Sequence, residues 1–551
     1  MLSILFNWLY IAFTAFCLGQ AFCFFVEKKL GYHVRRLHSV MVAGLVAATV
    51  YAQVFSLFYK VGFLANVLLL LFCFLVLIVY RKRVREEVCR YFRECSHAGI
   101  AVAVLLILVW AYFTSRGYLV YDSDLYHGQS IRWIEEYGVV KGLGNLHVRF
   151  AYNSSVFSLS ALYSMKFLLG RSLHTISGFF ALILSIATLD IARAWKRKKM
   201  LLSDFARAAA IYYLTIISKE VVSPSSDYVV MCIIFFIAIK WLEQTERKKE
   251  DISAVPYALL CVCGVYAVTL KLTAGLILVI TLKPAVMLIK EKRYKEIAMY
   301  LCMGLLTAAP WVTRTVLISG WLLYPFPQLD LFAVDWKIHA ERAAADAAEI
   351  KTWGRALYNA ALVDMPVSRW FPGWFSTTLS VSEKLLILAD IAGAILFFLT
   401  AAYTFLKRKW ENLDYLLLMS AVLLSYVFWQ LSAPLLRYGY AYVLLLAALT
   451  AGHILEGRKW SVLLYGLMLI YGGYKLFVLA GSICENALTQ AYIWQQDYGV
   501  YDLKTYELNG ETFYYPVTGD RTGYDSFPAV PVKIEAEFRG EGIRDGFRMA
   551  P

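Results

Sequence analysis

Long apolar stretches separated by short charged loops recur along the chain. MLSILFNWLYIAFTAFCLGQAFCFFV, HSVMVAGLVAATVYAQVFSLF, VGFLANVLLLLFCFLVLIVY and AGIAVAVLLILVWAYF follow one another before residue 115. Each is close to the roughly twenty residues that a helix needs to cross the hydrocarbon layer. Inside that layer only a helix or a closed barrel satisfies its own backbone. The pattern predicts spans near 4–26, 39–59, 61–80, 98–114, 173–194, 205–218, 227–243, 254–270, 272–289, 296–318, 384–406, 413–431, 437–456 and 460–482. The expected fold is an all-α polytopic bundle of about 13–14 transmembrane helices.

The polar positions orient this bundle. EKKLGYHVRR, RKRVREEVCRYFR, RAWKRKK, ERKKE, KEKRYKE, LKRKW and EGRKW are short and basic, and such loops mark the cytoplasmic side. All seven fall there if the N-terminus is outside. NSSVFSLSALYSMKFLLG, 153–170, is apolar enough to cross, but crossing would put RAWKRKK outside. It is therefore read as a helix lying at the interface, as is DLYHGQSIRWIEEYG at 124–138. The first large outer loop runs from about 115 to 172. Also outside are a Trp-rich segment of about 319–383, the turn APLLRYG and the tail after about 483. In the tail, YELNGETFYYPV predicts two short strands around Asn509-Gly510.

Composition changes this picture little. The chain is 60% hydrophobic and 17% charged, against about a quarter charged in soluble proteins. The net charge of +14 resides largely in the basic loops, so it belongs to topology and not to nucleic acid. The ten cysteines lie mostly within apolar runs, without metal-ligand spacing to His, and read as small packing residues. The first apolar run lacks a basic leader and a cleavage site and reads as a retained helix.

The charges left at membrane depth carry the chemistry, because such charges are costly. They gather at the outer ends of spans: Asp122 and Asp124 in YDSDLYH, Lys219, Glu220 and Asp227 in ISKEVVSPSSDY, Lys271 in TLKLTAG, Arg314 in PWVTRTVLISG and Arg437 in PLLRYGY. Each has a plainer reading. Asp122, Asp124 or Asp227 can cap a helix, Lys219, Arg314 and Arg437 can reach for headgroups, and His127 can be an interfacial polar residue. As a group they suit a lipid phosphate held by cations beside a carboxylate base or a bridging divalent cation. Trp321, Tyr324, Trp336, Trp353, Trp370 and Trp374 read partly as interface anchors and partly as surfaces for sugar faces.

The order of these elements resembles the GT-C superfamily of integral-membrane glycosyltransferases over about residues 98–460. The likeness lies in an acidic motif after an early span (YDSDLYH), interfacial helices in the same loop, a Ser-Pro…Asp turn opening a later span (SPSSDYVV), a basic residue in a tight turn (KLT) and a large aromatic loop from WVTRTVLISGWLLYPFP onward. That last segment, the DW of VDWK and RYGYAY resemble, more narrowly, an uncharacterised family of bacterial membrane proteins placed in that superfamily. Three spans precede the one at 98–114 that leads into the acidic loop, where the superfamily usually has a single span before that loop, and the Asp-Ser-Asp spacing leaves open which Asp is catalytic.

The resemblance implies a bacterial cytoplasmic-membrane enzyme with its site outside. It would move a sugar from a polyprenyl-phosphate-linked donor to a glycan, lipid or protein acceptor, with inversion. Asp122 or Asp124 would be the base. Lys271, Arg314, Arg437, Lys219 and Arg132 would hold the phosphate. His127, Gln129, Glu220, Asp227, Asp335 and Trp336 would support these residues or meet the acceptor. Members differ in using a divalent cation; where one is used, Mg or Mn would be shared by Asp122, Asp124 and His127. On this reading residues 1–97 are accessory helices, 98–482 the catalytic core and 483–551 an extracytoplasmic tail of β or α/β structure. Two other classes compete: a polymerase or ligase of lipid-linked glycans, and a lipid-linked-sugar flippase or transporter.

Overall fold

A computed structural model of the chain describes residues 1–247, 253–485, 492–533 and 536–550. It is mainly helical, with eleven helices among the described residues long and apolar enough to cross a membrane. Phe63–Val79 and Arg81–Glu94, bent by 89° at their junction, raise the number to twelve. Every expected span falls on a helix. The three outside the eleven are short: Phe63–Val79 has 17 residues, Leu202–Ile217 has 16 and Ala254–Leu270 has 17. At 1.5 Å per residue such helices reach about 25 Å, slightly less than the hydrocarbon thickness.

Burial orders the bundle from centre to edge. The apolar window of Ser226–Thr245 is 89% buried, whereas that of Ser461–Glu485 is 0% buried. A helix apolar on all sides and buried on all sides sits at the centre, and one continuous core runs from Ile4, Trp8 and Ile11 through Val229–Ile239 to Leu444 and Leu449.

The basic loops share one face and are tied together there. Arg36 meets Asp190 at 3.0 Å, Arg207 meets Asp204 at 2.6 Å and Glu243 at 2.7 Å, and Lys283 pairs with Asp414. Arg81–Glu94, with Val84 as its one buried residue, lies at this face too, where Arg83 approaches Glu27.

The opposite face carries a second, separate core. Residues 123–163 are helical in pieces, with Gly128–Glu136 and Ser155–Tyr163 the longest. Strands β1 (Leu503–Leu508) and β2 (Glu511–Pro516) pair antiparallel around Asn509 (φ 47°) and Gly510 (φ 85°), the left-handed pair that a tight hairpin requires. Strands β3 (Ala536–Phe538) and β4 (Phe547–Met549) form a second antiparallel pair. Phe513, Phe538 and Phe547 of these strands bury against Trp133, Leu143, Phe150, Trp321 and Tyr324. The tail thus folds onto the first loop and the Trp-rich segment, whose Ala-rich stretch forms the helix Ala340–Gly354.

Candidate functional site

The helix Ser226–Thr245 begins at this opposite face, and its first turn shows how the local sequence frees a carboxylate. Ser225, and not Asp227, caps the helix: its side chain accepts from the Asp227 N–H at 3.3 Å. The Asp227 carboxylate is left to face its neighbours. Ala254–Leu270 stops at Lys271, a single extended residue (φ −154°, ψ 124°) before a tighter helical stretch, Leu272–Thr281. That break turns the Lys271 side chain toward Asp227, with which it pairs. Arg437 lies in the first turn of Leu436–Leu455. Its Nε stands 3.0 Å from Asp227 Oδ2, and its Nη2 donates to Asp122 Oδ2.

Four charges from four distant segments therefore form one chain, Asp122–Arg437–Asp227–Lys271. Two are positive and two negative, so the set is neutral within itself. The Asp227 side chain is 5% exposed, while those of Asp122, Arg437 and Lys271 are 21–24% exposed. Asp227 forms the closed back and the other three the open front. The ring of Tyr438 lies 3.4 Å from Lys271 Nζ and receives a hydrogen bond on its hydroxyl from Arg437 at 3.3 Å.

His127 is buried beside this set, with its ring against Tyr126 and Phe157. Its Nδ1 has no hydrogen-bond partner among the described residues. Burial pulls its pKa down from the ordinary 6.5 to about 4; Arg437 and Lys271 act in the same direction, and Asp122 and Asp227 oppose it. His127 is a neutral imidazole at physiological pH.

Asp122 and Asp124 part company. Residues 123–127 form one wide π-turn that continues as Gly128–Glu136, a local widening frequent at functional sites. Side chains two apart on a helical backbone point to roughly opposite sides. Asp122 faces Arg437. Asp124 faces the tail: its carboxylate accepts from Gly499 N and from Tyr501 Oη, both at 3.0 Å, and its carbonyl accepts from Thr522 N and Gly523 N. Neither carboxylate caps a helix.

The next turns serve the tail as well. Gln129 Nε2 donates to the carbonyls of Gly523 and Ser526, and its Oε1 accepts from Ala529 N at 3.3 Å. Arg132 donates to the Tyr524 carbonyl at 2.6 Å and covers the rings of Tyr524 and Phe527. Glu135, absent from the sequence-based set, is bonded by the Tyr524 hydroxyl. Burial raises its pKa, yet the adjoining His174 and Tyr524 outweigh burial and hold it below the usual carboxylate range. Asp335 pairs with Arg539 at 2.8 Å, and Trp336 lies under that guanidinium.

Arg314 is a separate feature. It is buried, donates to Ser56 Oγ and, at 3.1 Å, to Asn153 Oδ1, and has no carboxylate partner among the described residues. Lys219 is exposed, and Glu220 accepts from Tyr228 Oη at 2.6 Å. Trp321, Trp370 and Trp374 are closed into cores, whereas Trp353 is 54% exposed. Of the three donors expected for a divalent cation, Asp122 is held by Arg437, Asp124 by the tail, and His127 Nδ1 is buried without a partner among the described residues. Among the described residues no three His, Cys, Asp or Glu form a metal-binding group.

A family model, the domain of unknown function DUF8201, matches residues 1–444. The chain belongs to this family. No curated protein and no solved structure matches it. All four charges of the network, His127 and Arg314 lie within the stretch matched to DUF8201, whereas the tail residues that clamp Asp124, Gly499, Tyr501, Thr522 and Gly523, lie beyond it. Tyr438 and Asn153, both within that stretch, escape a search for intramembrane charges because neither is charged. The signal for Tyr438 is its place beside Arg437 in the RYGY turn.

Proposed function

We propose that the protein is a glycosyltransferase that moves a sugar from a polyprenyl-phosphate carrier to an acceptor hydroxyl, with inversion. The observation that carries this reading is the half-open network Asp122–Arg437–Asp227–Lys271 at span ends opposite the basic loops. Basic loops mark the cytoplasmic side, so on this reading the network faces outside the cytoplasmic membrane. Counting the 16- and 17-residue helices as crossings gives about fourteen spans and puts the tail outside as well.

The chemistry divides among the residues by exposure. Asp122, at the front, takes the proton from the acceptor hydroxyl. The acceptor oxygen attacks the anomeric carbon, and the bond from that carbon to the phosphate oxygen breaks with its electron pair on the oxygen. Lys271 and Arg437 offset the charge that develops on the departing phosphate. Asp227, at the closed back, holds both cations in place and is a positioning residue. The network is neutral without substrate, so an arriving phosphate competes with the carboxylates for the two cations. No step is assigned to a divalent cation.

The test compares a deletion strain complemented with wild type, Asp122→Asn or Asp124→Asn at matched membrane abundance. Surface glycans and lipid-linked sugars are analysed. The expected result for Asp122→Asn is loss of one sugar from the glycan, with accumulation of its polyprenyl-phosphate donor. Glycans like those of wild type in the Asp122→Asn strain would sink the proposal. Glycans of intact units but shortened chains would point instead to a polymerase.

A further inference from the structure

A cavity of about 1160 Å³ opens at the basic face, at the other end of the spans from Asp122. It lies among the helices Leu2–Leu30, Leu37–Ser56, Ser226–Thr245, Ala254–Leu270 and Tyr294–Ser319. Its size matches or exceeds the upper end of ligand pockets, roughly 1,000 Å³. Lys240, on its wall, is thirteen residues along the central helix from Asp227, a separation of about 20 Å at 1.5 Å per residue. The two sites are distinct.

The wall changes character with depth. Seven Lys and Arg side chains line the cavity against three carboxylates, Asp190, Glu243 and Glu246. Some of the cations are already engaged: Arg36 and Arg193 share Asp190, and Arg207 and Lys240 share Glu243. Asp204, behind the wall, takes Arg197 and also binds Arg207, and the balance remains positive. Arg35 and Arg247, both exposed at the mouth, have no carboxylate partner among the described residues. Further in, Val46, Val50, Leu259, Val262 and Leu306 give an apolar surface that runs toward the middle of the membrane. Positive charge at one end of a deep apolar groove is complementary to one kind of ligand, an anion attached to a hydrocarbon chain. Basic pockets between spans at the cytoplasmic side take such headgroups.

We infer that this cavity binds a phosphate-bearing amphiphile from the basic-side leaflet, its phosphate at Arg35 and Arg247 and its chain along Val46, Leu259 and Leu306. The chemistry is common to an acidic phospholipid and to a polyprenyl phosphate. The inference does not rest on the transferase reading, because it uses none of the residues of that site.

The test is native mass spectrometry of the full-length protein in detergent. Separate samples are equilibrated with phosphatidylglycerol, a long-chain polyprenyl phosphate, phosphatidylcholine or inorganic phosphate. Retention of one of the two anionic lipids above phosphatidylcholine is expected, and the preferred lipid identifies the source. Arg35→Gln with Arg247→Gln removes two charges near the leaflet surface and weakens that retention by about thirtyfold. Val46→Trp fills the groove and weakens it by a separate route. Thermal melting verifies that the variants fold. Retention in the double variant equal to wild type, equal retention of phosphatidylcholine, or capture of inorganic phosphate as tight as that of the lipids would each overturn the inference.

Discussion

Replacing Asp124 by Ala tests the division of labour between the two acids of YDSD. The residue is 6% exposed, and its carboxylate accepts two hydrogen bonds from the tail, from Gly499 N and Tyr501 Oη, each at 3.0 Å. Hydrogen bonds to a charged group contribute about 1.5–3 kcal/mol each. Truncation to Ala also leaves the Gly499 N–H without its acceptor. The contacts of the Asp124 carbonyl with Thr522 N and Gly523 N remain, as do those of Gln129 and Arg132, so the tail stays folded and only its local opening becomes easier. A loss of about 3–5 kcal/mol corresponds to at least a hundredfold rise in the open population. Hydrogen exchange followed by mass spectrometry on peptides covering 496–503 reads that rise directly. The same peptides in Asp122→Ala should exchange as in wild type, because Asp122 bonds Arg437 and not the tail. Unchanged exchange in Asp124→Ala, or equal acceleration in Asp122→Ala, would refute the assignment.

Other consequences are as direct. Lys271→Met removes a cation from the network while Arg437 still approaches Asp227; under the proposed transferase function, sugar transfer by purified protein should fall by about 10²-fold or more, with thermal stability close to wild type. His127 is depressed to about 4 in the fold from an ordinary 6.5, so the unfolded chain binds its proton first. Its contribution is present above pH 6.5 and lost as pH falls toward 4, about 3 kcal/mol in all; in His127→Gln, denaturant midpoints should fall less across that window than in wild type. Trp133 is fully buried against Tyr137, Phe527 and Phe547; Trp133→Ala should cost about 3–5 kcal/mol and expose the segment 492–533 to limited proteolysis while the apolar bundle stays intact.

The helices were legible because the apolar pattern alone determines what a bilayer tolerates, and every expected span coincides with a helix. The hairpin at Asn509-Gly510 was legible for a similar reason, since few residue pairs accept two left-handed conformations. The short spans were less so: Leu202–Ile217 spends part of its length on the buried pair Asp204 and Arg207. At the candidate site the list of charges was readable but not their pairing. Asp122 and Asp124 look like a pair in sequence, yet a helical backbone sends side chains two apart to different partners. Arg132, Gln129, Asp335 and Trp336 resemble site residues because polar groups at a membrane lip are expensive, but their partners are in a tail about 200 to 400 residues away, which no local pattern encodes. Tyr438 contributes a ring beneath Lys271, a role that charge-based reasoning passes over.

The clamp between the first loop and the tail has a consequence for biosynthesis. Phe547 N donates to the Lys141 carbonyl, and Asn145 Nδ2 reaches the Phe547 carbonyl across 402 residues of chain. At about 5–20 residues per second, a ribosome needs roughly 20–80 s to deliver the second half of that contact. Through this interval Trp133, Leu143 and Phe150 have none of the tail's phenylalanines to cover them. The loop that carries Asp122 is therefore among the first parts of the molecule to be synthesised and among the last to be finished, a window in which a chaperone or a protease can act on it.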